Sequence, residues 1–404
     1  MSHGIVIVGG GQAAVALIAK LRSLDPSRPI ALIGSEPALP YQRPPLSKKY
    51  LTGEIDKDRL SLRSREWFED QGVTLHLVTS AAAIDRAARR LMLEHGESIA
   101  YGDLVLCTGS KPRRLPVAAG GALKGVYTLR CIADVNDMRK EFEPGRRLLI
   151  VGGGYIGLEA AAVAARMGLR VTLLEVAPRI LQRVAAEATA DYFRALHLQQ
   201  GVDLREDTGL LRLAGSERVE SAILTDGTEL PVDFVLVGIG ISPADDLAVQ
   251  AELTVDNGIA VDEYCRTSDP HIFAAGDCTS FPYKGRRIRL ESVQNAIDQG
   301  EAAALSLAGH PEPYCPKPWF WSDQYETKLQ IAGLNTGYDR TIVRPGKREG
   351  AQSIWYFRED SLLAVDAIND PASYMVGRKL IQAGIHPTLS AVADPGYSLN
   401  SALQ

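Results

Sequence analysis

The chain has 404 residues, 46% of them apolar and 23% charged, with 37 glycines against 22 prolines. At roughly 150 residues per domain that is a folded protein of two to three domains, and it excludes a disordered or collagen-like chain. A net charge of −5 disfavours a general nucleic-acid binder. Five scattered cysteines and seven histidines disfavour both a disulfide scaffold and a zinc ribbon, so no metal site is expected.

The stretch from Met1 to Ala19 carries no charged side chain. It lacks the basic start of a signal peptide, and Gly9-Gly10-Gly11-Gln12 interrupts it, so neither a leader nor a membrane span is expected. Gly4–Val8 reads instead as a strand buried on both faces, Ala13–Leu24 as a helix stopped by Asp25-Pro26, and Ile30–Ile33 as a second strand. Leu104–Cys107 is a further strand, ended by Thr108-Gly109. The opening grammar returns at Leu148–Val151, with Gly152-Gly153-Gly154, a helix over Tyr155–Met167 and a strand at Arg170–Leu174. Phe234–Val237 and Ile272–Ala275 are apolar strands closed by Gly238 and by Gly276-Asp277. From about Trp319 the pattern alternates, with strands at Lys328–Ala332, Arg340–Arg344, Ser353–Phe357 and Leu362–Asp366, then a helix over Ala372–Ala383. Strands followed by a helix suggest a small α+β domain. The tail after Gly384, with Pro387, Pro395 and Gly396, reads as an extended arm.

Two glycine fingerprints carry the chemistry. In Gly9-x-Gly11-x-x-Ala14 a tight turn brings the backbone to a pyrophosphate at the positive end of a helix, and the third position governs helix–strand packing. The acid for the adenosine ribose is Glu36, with Ser35 as the neighbouring alternative. The second copy is Gly152-x-Gly154-x-x-Gly157, with Glu175 ending its second strand. A carboxylate there accepts from both ribose hydroxyls and repels a 2′-phosphate, which points to NADH over NADPH. Two dinucleotides in one chain suggest a flavin and a nicotinamide, a pair that turns a hydride into single electrons.

Pro40-Tyr41-Gln42-Arg43-Pro44-Pro45-Leu46-Ser47-Lys48 resembles the segment after the first βαβ unit of FAD-dependent, NADH-dependent ferredoxin reductases, which serve bacterial cytochrome P450 and Rieske oxygenases. The likeness continues in Thr108-Gly109, Gly154-Tyr155-Ile156-Gly157-Leu158-Glu159, Ala275-Gly276-Asp277, Glu291-Ser292-Val293 and Trp319-Phe320-Trp321-Ser322-Asp323-Gln324. It covers the chain end to end. The resemblance implies an α/β fold of the glutathione-reductase type, with two Rossmann-like domains and a C-terminal α+β domain. Residues 1–112 and 245–318 would bind FAD, 113–244 would bind NAD, and 319–404 would form the interface domain. It places Lys48 beside the flavin, paired with Glu159; a buried lysine needs such a carboxylate. Arg43 and Arg130 resemble contacts to the FAD phosphates and adenosine, and Asp277 one to the ribityl chain. Ala81 and Val293 match positions that meet FAD through backbone atoms. Tyr155 resembles the aromatic that yields to the nicotinamide, Arg183 a basic residue near the NAD adenosine and phosphates, and Trp321 a tryptophan at the flavin edge. For Arg183 the plain alternative is a solvated helix face, and for Trp321 a core aromatic.

Disulfide reductases and peroxidases of this fold need a redox cysteine against the flavin, and residues 37–56 contain none. Cys107 and Cys278 read as small apolar fillers. Electrons should then leave by outer-sphere transfer to a one-electron carrier, a small acidic [2Fe–2S] ferredoxin bound transiently. Arg63 and the run Lys284, Arg286, Arg287 and Arg289 are its expected basic landing site. Glu301 departs from the family, where a relative has an arginine. No nucleic-acid or membrane partner is expected, and the chain should be a monomer or weak homodimer in the cytoplasm. The rivals are a flavoenzyme reducing a small acceptor such as dioxygen, a quinone or monodehydroascorbate, and a redox-sensing scaffold like apoptosis-inducing factor.

Overall fold

A computed structural model describes residues 4–403. They fall in two compact units, Met1–Arg43 with Asp56–Lys111 and Ile241–Lys317, and Pro44–Ile55 with Pro112–Gly240 and Pro318–Gln404. In the first unit the opening βαβ is Ile5–Val8, Gln12–Leu24 and Ile30–Gly34. Ile5–Val8 is the centre of a five-stranded parallel sheet, flanked by Asp103–Leu106 and Ile272–Ala274 on one side and by Ile30–Gly34 and Val73–Leu77 on the other. Its side chains alternate between two cores, Ile5 and Ile7 in one, Val6 and Val8 in the other. That is why the strand reads as an unbroken apolar run. The helix Val293–Leu307 packs tightly on Gln12–Leu24: a Cβ at Gly300 would lie 2.4 Å from the Ala13 carbonyl oxygen. An antiparallel sheet of Ala81–Asp85, Arg90–Leu93 and Ser98–Ala100 packs on the second core, and Ile259–Ala260, Thr279–Tyr283 and Arg286–Ile288 form a further small sheet of this unit.

The second unit repeats the design. Its parallel sheet runs Asp203–Arg205, Arg170–Leu174, Arg147–Val151, Phe234–Val237, Val126–Tyr127, and the helix Tyr155–Arg166 follows the central strand. The C-terminal sheet is antiparallel, ordered Trp319–Gln324, Thr327–Gly333, Ser361–Ile368, Gln352–Arg358, Arg340–Pro345. The helix Pro371–Ala383 lies on it, so close that a Cβ at Gly377 would sit 2.6 Å from a Val365 methyl. Trp319–Gln324, absent from the expected strands, forms its edge.

The tail corrects the sequence reading: it is a docked segment, not an extended arm. A helix Leu389–Ala393 and a 3-10 turn Leu399–Leu403 put Val392 and Leu399 into one core with Trp355, Phe357 and Leu380. Arg344, 9% exposed, donates to the carbonyls of Ala391, Val392, Asp394, Pro395 and Tyr397. Pro395 lacks the N–H that would reach the Ala391 carbonyl, and that one guanidinium collects the carbonyls of this turn instead. Among the described residues no helix is long and apolar enough to cross a membrane.

Candidate functional site

The first glycine turn is built for close approach. Gly9 has φ +109°, and a Cβ there would lie 2.2 Å from the Cys107 carbonyl oxygen, so only glycine fits. Gly11 caps the helix Gln12–Leu24 with no side-chain cap, and nothing lies within 4 Å of where its Cβ would stand. The helix's first N–H groups thus face a clear approach, the donor set a pyrophosphate requires. Ala14, in the third place, is fully buried. Beyond the second strand Ser35 is exposed, while Glu36 accepts from Tyr41 Oη at 2.6 Å and pairs with Arg43 Nη2 at 2.8 Å. The Arg43 guanidinium also stacks 4.9 Å from the Tyr41 ring centroid.

In the same unit Gly109 has φ +71°, and Thr108 Oγ1 donates to the Ala244 carbonyl at 2.6 Å. Asp277 accepts from Ser110 Oγ at 3.2 Å. Val293 begins its helix, whose cap is Ser292, and Ala81 begins the antiparallel sheet. Gln299 was not foreseen from sequence. Fully buried, its Oε1 accepts from Gly276 N and Thr279 Oγ1, both at 2.8 Å, and so fixes the turn that carries Asp277. A glutamine on an otherwise alanine-rich helix face was the available signal. The thiols of Cys107, Cys265 and Cys278 are buried and pushed up by desolvation, the opposite of an activated thiolate.

The basic run is thinner than its sequence implies. Arg287 turns its Nη2 onto the carbonyls of Val261 and Ser280, and Arg289 pairs with Glu291. Lys284, Arg286 and Arg287 itself remain exposed at the hairpin Thr279–Tyr283/Arg286–Ile288. Arg63 is exposed and stacks 5.4 Å from the Trp67 ring centroid.

The second glycine turn, in the second unit, has the same mechanics. Gly152 has φ +111°, and a Cβ there would meet the Gly238 carbonyl oxygen at 2.4 Å. A Cβ at Gly157 would lie 2.2 Å from the Gly152 carbonyl oxygen, so here the third position admits no alanine. Gly154 caps the helix without side-chain help and faces clear space. Both turns therefore fit a dinucleotide by the same test. Glu175 folds across its turn: Oε2 accepts from Gly153 N and Oε1 from Ala177 N, each at 2.8 Å. Ile156 and Arg183 are exposed, and the Arg183 guanidinium reaches over Gly240. Arg130 donates its backbone N–H to Asp134 Oδ2 at 2.8 Å.

Around that helix the structure gathers a buried polar cluster. Lys48 Nζ lies 2.9 Å from Glu159 Oε2, their side chains 20% and 6% exposed. Ser47 Oγ donates to the same oxygen and Ser322 Oγ to Oε1, both at 2.8 Å. Tyr155 packs its ring 5.0 Å from that of Phe320, and its buried hydroxyl has no hydrogen-bond partner. Burial, with Asp366 and Tyr356 nearby, pushes that phenol well above its ordinary range. Trp321 stacks on Trp319 at 5.4 Å.

The chain matches the family described as pyridine nucleotide-disulphide oxidoreductase over residues 3–300, and the reductase C-terminal family over residues 319–403. It is 40% identical to rhodocoxin reductase of Rhodococcus erythropolis, over 99% of this chain and 94% of that protein. Among solved structures it is similar to the ferredoxin reductase for the CYP199A2 system of Rhodopseudomonas palustris, at 37% identity and TM-score 0.96 with both chains fully covered. It is likewise similar to the covalent putidaredoxin reductase–putidaredoxin complex, at 38% identity and TM-score 0.95 over 99% of this chain and 98% of that one. The two parallel-sheet dinucleotide folds, the antiparallel C-terminal sheet and these likenesses agree: the chain belongs to the pyridine nucleotide-disulphide oxidoreductase family, among its ferredoxin reductases.

Proposed function

We propose that this protein is a cytoplasmic flavoenzyme that takes electrons from NADH and passes them singly to a [2Fe–2S] ferredoxin feeding a cytochrome P450 or Rieske oxygenase. The observation that carries it is the pair of glycine turns, each opening a helix in its own parallel sheet, in a chain whose buried thiols at Cys107, Cys265 and Cys278 are pushed up by desolvation. FAD supplies, when bound, the exchange between a two-electron donor and a one-electron acceptor. We assign it to residues 1–112 and 245–318, NAD to 113–244, and the interface role to 319–404.

Gly9, Gly11, Ala14, Thr108 and Gly109 would present backbone to FAD, with Arg43, Arg130 and Glu36 at its phosphates and adenosine. Ser35 stands beside Glu36, but only Glu36 is ordered by partners. Asp277 would hold the ribityl chain, and Ala81 and Val293 would add backbone contacts. Lys48, paired with Glu159 at 2.9 Å, would favour the electron-rich reduced ring. Gly152, Gly154, Ile156 and Gly157 would cradle NADH, Glu175 its ribose and Arg183 its phosphates, while Tyr155 yields to the nicotinamide and Trp321 lines the exit edge. Positioning carries the chemistry, and no general acid or nucleophile is required. Free cysteines suit the reducing cytoplasm.

The test is a purified yellow protein that releases FAD on denaturation and is reduced by NADH in stopped flow. Cytochrome c reduction should appear only when a [2Fe–2S] ferredoxin is added. Equal turnover with dioxygen or a quinone alone would overturn the assignment, as would a cysteine that cycles between oxidation states.

A further inference from the structure

Ser322 and Gln324 lie two apart on the edge strand Trp319–Gln324 and are 0% and 1% exposed, so both face the same buried side. Behind them stands His197, fully buried in the last turn of the helix Glu187–Gln199. Gln324 Nε2 donates to Ser322 Oγ at 3.2 Å, His197 Nε2 is 2.9 Å from Gln324 Oε1, and Tyr325 Oη is 3.3 Å from His197 Nδ1. With the bond from Ser322 to Glu159, these residues form one unbroken hydrogen-bonded line ending on the carboxylate that pairs with Lys48.

Elementary donor and acceptor rules set its direction. A carboxylate only accepts, so Ser322 spends its single proton on Glu159 Oε1 and must itself accept from the Gln324 amide nitrogen. The Gln324 oxygen then faces His197 and can only accept, which requires a proton on Nε2. Burial lowers the pKa of His197, so the ring is neutral and Nδ1 is left to accept from Tyr325. The opposite tautomer would turn the Gln324 amide over and draw the Ser322 proton away from Glu159.

We propose that Tyr325, His197, Gln324 and Ser322 are positioning residues, a one-way donor relay that holds the Glu159 carboxylate, and through it the Lys48 ammonium, in the orientation the reaction uses. This rests on the reading of Lys48 as the charge that serves the flavin. The relay has its own signature, however. In holoenzyme labelled with 15N-histidine, the His197 ring, assigned by its loss in His197→Gln, should show the neutral form protonated at Nε2. A ring protonated at Nδ1, or at both nitrogens at pH 7, overturns the proposal.

The second readout is the midpoint potential of bound FAD. His197→Leu and Gln324→Leu should each lower the equilibrium constant for reduction about threefold, ~15 mV for a two-electron couple. His197→Gln, which keeps an N–H toward Gln324, should restore the wild-type value. If Lys48→Met lowers the potential and the relay variants do not, the relay alone is refuted. If Lys48→Met also leaves it unchanged, the reading of Lys48 falls and takes the proposal with it.

Discussion

On the proposed reading, Glu175 sets the nucleotide preference through one side chain. Its oxygens already hold the N–H groups of Gly153 and Ala177, so the carboxylate is ordered before any ribose arrives. Glu175→Ala should lower the ratio of kcat/KM for NADH over that for NADPH by roughly tenfold, the worth of one charged hydrogen bond, about 1.5 kcal/mol. An unchanged ratio in steady-state assays would remove the ribose role. Asp366 is the opposite case, a carboxylate under strain from burial. It accepts from Thr189 Oγ1 at 2.7 Å and from Tyr356, but its Oδ1 has no partner, and desolvation pushes its pKa up to about 6 from 3.8. The folded state therefore binds more protons than the unfolded one between those values, and stability falls as pH rises through that window. Relative to Asp366→Asn, the wild type should lose ~2–3 kcal/mol between pH 4 and pH 7 in urea unfolding. A difference that does not move with pH would show that the group titrates normally. Of these two residues only Glu175 was legible beforehand, because it ends a strand at a motif's fixed offset. Asp366 closes a run that reads as an ordinary strand, and only the packing of Thr189 and Tyr356 against it makes it unusual.

At the scale of elements, apolar runs and glycine punctuation located the central parallel strands and the helix of each glycine turn to within a residue or two, but not the strands Val73–Leu77, Val126–Tyr127 and Asp203–Arg205. Trp319–Gln324 stands out for its aromatic rings, yet its alternation also sets Ser322 and Gln324 on the buried side, and a strand with polar residues facing inward carries no apolar period to detect. Tyr325, at φ +54°, occupies the turn after it in a conformation that costs a non-glycine residue about 1 kcal/mol. Its contact with His197 offsets that cost. The C-terminal tail was misread because its prolines and glycines say loop, while the carbonyls they leave open are collected by a distant arginine. Arg344→Met should destabilise the protein by about 3 kcal/mol and expose residues 389–403 to hydrogen exchange. Arg344→Lys should recover little, since one ammonium cannot span five carbonyls. Unchanged exchange across the tail in Arg344→Met would assign the docking to Val392 and Leu399 alone.

At the scale of the whole molecule, a protein of net charge −5 must attract an acidic carrier through local charge. Lys284, Arg286 and Arg287 are exposed, and of these Lys284 and Arg286 are not tied back to carbonyls of their own unit. Lys284→Glu with Arg286→Glu should raise the KM for ferredoxin severalfold and flatten its salt dependence, with NADH reduction of the flavin untouched. A KM equal to wild type across ionic strength would place the landing site elsewhere. Two dinucleotide folds, their glycine turns, the acid of the second turn and the class of chemistry were all determined by the sequence alone, because backbone clearance and strand burial are local demands that leave local marks. The tertiary structure decided which charges stay free, how the tail docks, and that Glu159 is held from three sides by Ser47, Lys48 and Ser322. Those outcomes depend on groups far apart in the chain meeting in a dry interior, where a hydrogen bond's partner, not its own residue type, sets what it does.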